Sequence, residues 1–212
     1  AGCCPVSGQG RVRSAPLRVA ILGSTGSIGR STLQVIRRHP SRFEVVALAA
    51  HRSLSHLAEQ VQTFRPRRAV VADGAVLTDA GDLPRSHWEA GREALLSVAS
   101  DPDVDVVVNA LVGAVGLEPT LVALGAGKRL ALANKESLVA GGPLVLEASR
   151  RGGGQLVPID SEHSAILQCV AGAAPDCIAR VMLTASGGPF RGWNSGALAG
   201  VRPSDALRHP TW

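Results

Sequence analysis

The chain has 212 residues, of which 45% are hydrophobic and 18% charged, and a formal net charge of +5. This balance excludes a disordered chain or a coiled coil, and the length allows one domain and part of a second around a real core. No apolar run reaches the roughly 18 residues of a membrane-spanning helix. An aromatic content of 3%, with no Tyr, and Arg residues that are scattered rather than gathered into a basic face argue against a nucleic-acid partner. The moderate positive charge is compatible with an anionic small substrate as readily as with a polymer. Cys3, Cys4, Cys169 and Cys177 lack CxxC spacing and are expected as reduced thiols.

Residues 1–16 lack the apolar segment of a secretory signal and read as a flexible leader; the chain does not begin with Met. From Leu17 short β-branched runs alternate with amphipathic stretches. Strands are predicted at Arg18–Leu22, Glu44–Leu48, Ala69–Ala72, Val104–Asn109 and Arg129–Ala133. Helices are predicted at Arg30–His39, Ser55–Phe64, Trp88–Val98, Leu117–Gly127 and Ser137–Arg150, with a variable loop over 74–87. This alternation implies βαβ units and a parallel sheet covered on both faces. Arg151-Gly152-Gly153-Gly154 reads as a hinge between a nucleotide-type domain over 17–151 and the beginning of a second over 152–212. In the second, a strand at Gln155–Ile159, a helix at Glu162–Val170, a strand at Ile178–Thr184 and a loop at Ala185–Gly200 are expected. The sequence stops at His209-Pro210-Thr211-Trp212 with no closing element, and a fragment is expected.

Gly23-Ser24-Thr25-Gly26-Ser27-Ile28-Gly29 falls where the first strand turns into the first helix. Gly23 allows the tight turn, Gly26 lets backbone approach a phosphate, Gly29 lets helix and strand pack closely, and the helix start offers N–H groups to a pyrophosphate. The spacing is GxxGxxG rather than GxGxxG, so a turn without a ligand is the competing reading. An NAD enzyme places an acid at the end of the second strand; here Ala50-His51-Arg52-Ser53 offers a guanidinium and a hydroxyl, which suit the 2′-phosphate of NADP(H). Taken alone, Arg52 reads as a solvated loop residue.

Asp160 and Glu162, in Pro158-Ile159-Asp160-Ser161-Glu162-His163, would point the same way if the backbone were extended, and two oxygen ligands suit Mg²⁺ or Mn²⁺. A helix start capped by Asp160 or Ser161 is an equal alternative. Thr184-Ala185-Ser186-Gly187-Gly188-Pro189-Phe190-Arg191 carries the hydroxyl, amide and Arg equipment of an anion loop, or is a plain Gly/Pro loop. Asn134-Lys135-Glu136 ends a strand, where open α/β sheets bind ligands. Lys135 could meet an anionic substrate and Asn134 and Glu136 a nicotinamide ribose; a capped helix start with surface charges competes.

In this order GSTGSIG, LANKESLV, PIDSEH, LTASGGPFR and RHPTW closely resemble the 1-deoxy-D-xylulose 5-phosphate reductoisomerase family over Leu17 to Trp212. The resemblance implies an α/β fold, a Rossmann-like doubly wound parallel sheet followed by the start of an α+β catalytic domain. It implies NADPH contacts at Thr25, Gly26, Ser27, Ile28, Arg52, Ser53, Asn134 and Glu136, with His51 standing where many members have Gly. A divalent metal (Mn²⁺ or Mg²⁺) is implied at Asp160 and Glu162. Substrate contacts are implied at Lys135, Ser161, Glu162, Ser186, His209 and the flap residue Trp212, with Lys135, Glu162 and His209 in catalytic roles.

The implied reaction is metal-assisted rearrangement of 1-deoxy-D-xylulose 5-phosphate and hydride reduction to 2-C-methyl-D-erythritol 4-phosphate, a step in isoprenoid biosynthesis. The implied partner is a small phosphorylated sugar, the full-length protein is expected as a homodimer, and the compartment as a bacterial cytoplasm or a plastid. Members continue past HPTW with a phosphate-binding Ser/Asn/Lys group, a third metal carboxylate and a C-terminal helical domain, so this chain alone is expected to be impaired. Two other readings are a nucleotide-binding fragment without turnover and an NADP-dependent reductase of another small substrate.

Overall fold

The computed structural model describes residues 15–78, 82–182, 184 and 188–208. By contacts the chain divides into two compact units, 1–160 and 161–212.

The first unit is built on strands β1 (Leu17–Leu22), β2 (Phe43–Ala50), β3 (Arg68–Val71), β4 (His87–Ala90), β5 (Val106–Asn109), β6 (Arg129–Leu132) and β7 (Gln155–Pro158). They form one seven-stranded sheet in the order β4-β3-β2-β1-β5-β6-β7, and every neighbouring pair is parallel. The helices are α1 (Ser27–Arg38), α2 (Leu54–Phe64), the single turn α3 (Ala75–Thr78), α4 (Gly91–Ser100), α5 (Leu117–Gly125) and α6 (Lys135–Gly152).

Two apolar clusters flank the sheet. Val19, Ile21 and Leu48 pack with Leu33 and Ile36 of α1 and Leu57 and Val61 of α2. Ala20, Leu22 and Val107 pack with Leu95 and Val98 of α4, Leu124 of α5 and Val145 of α6. Successive strand residues alternate between the clusters, so a strand buried on both faces reads as a continuous apolar run. RVAIL shows this pattern. Chain order reverses direction across the sheet between β1 and β5. This is the switch point, where loops leaving neighbouring strand ends part and open a crevice.

Three local expectations in the first unit are corrected. The helix predicted from Trp88 begins at Gly91, whose φ is +90°, because His87–Ala90 pairs with β3 as an edge strand. Arg68 fastens that edge with hydrogen bonds to Glu89 (Nε–Oε1 2.7 Å, Nη2–Oε2 2.9 Å) and to Asp101 (2.8 Å). The variable loop holds one helical turn, α3. The glycine run is no hinge. Gly153, with φ +71°, caps α6, and a Cβ on Gly152 or Gly154 would lie 2.3 and 2.4 Å from the Leu124 carbonyl oxygen. These glycines let the end of α6 press on the end of α5, and β7 then joins the sheet beside β6.

The second unit holds α7 (Ser161–Val170), a 3-10 turn at Pro175–Cys177 and the single turns α8 (Ser195–Leu198) and α9 (Pro203–Ala206). The strand expected at Ile178–Thr184 does not form over its described residues. A strand needs a neighbour to take its backbone hydrogen bonds, and the described residues of this unit contain no other strand. Phe190 and Trp193 meet edge to face, with centroids 5.4 Å apart. Among the described residues, no helix is long and apolar enough to cross a membrane.

Candidate cofactor-binding site

The glycine-rich loop leaves β1 at the switch point. Gly23 has φ +85°, and a Cβ there would stand 2.6 Å from the Ala110 carbonyl oxygen after β5. Both properties require glycine. The N–H groups of Gly23 and Ser24 each donate to the Ala49 carbonyl at 2.9 Å, and that of Gly26 to Gly23 at 3.2 Å. Gly29 lies so close to the turn that a Cβ would come within 2.4 Å of the Gly23 oxygen. Gly26 is the N-cap of α1 and brings no side-chain cap. The N–H groups of Ser27, Ile28 and Gly29 therefore have no intrahelical acceptor, and Gly26, Ser27 and Ile28 are exposed. A bare, positively polarised helix start at a switch point is suited to a phosphate.

At the end of β2, Arg52 and Ser53 are exposed. Arg52 Nε pairs with Asp73 Oδ2 at 3.1 Å. Asp73 follows the next strand and also caps α3 by accepting from Ala75 N–H at 3.1 Å. Sequence reasoning missed Asp73. An acid thus stands after β3 rather than at the end of β2, and only strand order reveals that it meets Arg52.

Asn134 is almost fully buried. Its Oδ1 caps α6 by accepting from Ser137 N–H at 2.9 Å, and it also pairs with Ser137 Oγ. Its Nδ2 donates to the carbonyls of Leu111 (2.9 Å) and Gly113 (3.0 Å) and to Glu136 Oε2 (3.0 Å). Glu136 Oε1 accepts from Gly113 N–H at 3.2 Å. Asn109, buried at the end of β5, donates to the Gly116 carbonyl and Thr120 Oγ1 and accepts from Leu111 N–H. Asn134 and Glu136 thus meet the backbone of the 111–116 loop beside the switch point. The helix-cap reading of Asn134 holds in this geometry.

Lys135 opens α6 after β6, and Asp160 follows β7. These neighbouring strand ends bring Lys135 Nζ to 2.5 Å from Asp160 Oδ2, with the Asp160 side chain only 9% exposed. In the second unit, Ser161 Oγ donates to Glu162 Oε2 at 2.8 Å. Glu162 lies in the first turn of α7, so the extended-backbone argument for aligning it with Asp160 fails: the chain has already turned helical. Among the described residues, no three His, Cys, Asp or Glu side chains gather as a metal site. Ser186, His209 and Trp212 lie outside the described residues.

An all-parallel sheet with a glycine-rich turn into a bare helix start at its switch point defines a Rossmann-like α/β fold. Residues 19–142 match the family described as 1-deoxy-D-xylulose 5-phosphate reductoisomerase, and residues 156–212 match that family's C-terminal domain. The chain belongs to the 1-deoxy-D-xylulose 5-phosphate reductoisomerase family. It is 52% identical over 209 residues to the enzyme of that name from Mycobacterium leprae, covering 98% of this chain and 49% of the relative. The reductoisomerase of Zymomonas mobilis, solved in complex with NADPH, superposes with a TM-score of 0.77 at 42% identity, covering 92% of this chain and 52% of that one. A reductoisomerase in complex with NADPH, fosmidomycin and magnesium gives 0.73 at 40% identity, with the same coverage. The chain spans about half the length of the curated relatives it matches.

Proposed function

We propose that these residues serve an NADPH- and divalent-metal-dependent enzyme that rearranges and reduces 1-deoxy-D-xylulose 5-phosphate to 2-C-methyl-D-erythritol 4-phosphate. The observation that carries the reading lies within the first unit. The phosphate loop and the Lys135–Asp160 pair stand on the same, carboxyl-terminal edge of one parallel sheet, in a chain of this family.

The residues present fit the cofactor. The uncapped start of α1 offers the N–H groups of Ser27, Ile28 and Gly29 to its pyrophosphate. Arg52, steadied through Nε by Asp73, is suited to the 2′-phosphate, with Ser53 beside it in sequence. Asn134 and Glu136 shape the 111–113 backbone, where a nicotinamide ribose would rest. When bound, NADPH supplies the hydride.

Asp160 and Glu162 provide only oxygen donors, which fits a hard cation such as Mg²⁺ or Mn²⁺; the described residues supply at most these two of the ligands. When bound, the cation would polarise the substrate's oxygens. Lys135 orients the Asp160 carboxylate and stands ready for an anionic group of the substrate. Ser161 steadies Glu162 through its hydroxyl and is a substrate contact in this reading, as are Ser186, His209 and Trp212. The working protein is proposed as a homodimer in a bacterial cytoplasm or a plastid.

The test is NADPH oxidation with 1-deoxy-D-xylulose 5-phosphate and Mn²⁺, with and without chelator. Turnover that disappears with chelator is the expected result for the whole protein. Metal-independent oxidation, or oxidation without this substrate, would overturn the assignment.

A further inference from the structure

The phosphate loop is held by backbone and, among the described residues, by a long side chain of another element. Gln60, on α2, donates from Nε2 to the carbonyl oxygen of Ser24 at 2.9 Å. Ser24 is fully buried, and α1 starts at Ser27 without a side-chain cap. The Ser24 carbonyl shares its peptide plane with the Thr25 N–H, two residues before α1 begins. The other end of the same amide, Gln60 Oε1, is buried with no hydrogen-bond partner among the described residues. Gln60 also lines a groove of about 300 Å³ between α1 and α2, with Leu33 and Phe64 among its walls.

A half-satisfied buried amide weighs against folding. An unbranched apolar side chain such as Met could fill this space without that burden. The amide is therefore a poor choice for packing and a good one for fixing the turn.

We infer that Gln60 is a positioning residue for the cofactor: it clamps the Ser24 carbonyl so that the N–H groups at the start of α1 are already aimed at the pyrophosphate. The inference rests on the proposal that this loop binds NADPH, and it names a residue outside the family motifs. Preorganised donors save the ordering that binding would otherwise require.

The test compares the 212-residue chain with Gln60→Met and Gln60→Glu by NADPH titration, thermal melting and amide exchange at Thr25 to Ile28 without cofactor. Gln60→Met is expected to keep or raise the melting temperature, to speed exchange in the loop, and to weaken NADPH binding by about three- to tenfold. Gln60→Glu keeps the shape but turns an oxygen toward the Ser24 carbonyl, and is expected to weaken binding at least as much. A glutamine that merely packs gives the opposite pattern, a lower melting temperature with unchanged affinity and exchange, and that result overturns the inference. If the unmodified chain fails to bind NADPH, the cofactor proposal falls. Loop exchange in Gln60→Met then still decides the clamp, faster supporting it and unchanged overturning it.

Discussion

The two compact units use apolar residues in opposite ways. In the first, Ile21, Leu22, Leu48, Leu57 and Leu130 are wholly buried between sheet and helices. In the second, none of the described residues is buried, and Val181, Met182 and Leu207 are 56%, 76% and 84% exposed. Both stretches carry β-branched and aliphatic runs, yet among the described residues only the first closes them into a core. A pattern in sequence becomes structure where each strand finds a neighbour and each apolar stripe finds a face.

The sharpest way to break this contrast is to delete methyl groups on both sides of it. Leu48→Ala is expected to destabilise the first unit by about 2–5 kcal/mol, whereas Leu207→Ala should stay within about 0.5 kcal/mol. Urea denaturation read by circular dichroism distinguishes the two, and equal losses would mean that the second unit hides a core. A backbone contact offers a more local test. Gly29→Ala forces a Cβ against the Gly23 carbonyl and should weaken NADPH binding more than tenfold, while Gly200→Ala, with open space around it, should leave it unchanged. Equilibrium titration of both variants would show whether close packing at the loop controls the site.

The smallest expected effect concerns pH. Hydrogen bonds from Arg68 hold the Glu89 carboxyl below its ordinary value, against the opposing push of burial. At Asp101 burial pushes upward, and the Asp103 N–H and Arg68 outweigh it. Carboxyls lowered in the folded state stabilise it above their unfolded values, and that contribution fades as pH falls through the folded ones. The urea midpoint should therefore decline below about pH 4, and Arg68→Met should flatten the decline. An identical pH profile in that variant would remove the edge of the sheet from the account.

Much of the first unit was legible because RVAIL, GSTGSIG and the helical stripes each agree with the same parallel architecture. The edge strand at His87–Ala90 was not, since its exposed and half-buried residues, HWEA, carry no apolar run and their pairing depends on β3. The glycine run after Arg151 misled for a related reason. A glycine needed for freedom and one needed for contact are identical in sequence, and only the nearby Leu124 carbonyl tells them apart. Around the glycine-rich loop the motif itself was readable, but the contacts of Asp73 with Arg52 and of Gln60 with Ser24 were not, because each joins elements distant in the chain.

One property of the strand order bears on how the protein is made. β1 lies in the middle of the sheet, between β2 and β5, although it comes before the other six strands of the sheet in chain order. Its edge from Val19 to Leu22 stays unmatched until Val106 to Asn109 have left the ribosome, long after β2, β3 and β4 are available on the other side. Throughout that interval the nascent chain presents an open, apolar strand edge, the feature on which chains pair with one another. The emergence of β5 closes this central edge and passes the open edge outward, to be covered in turn by β6 and β7.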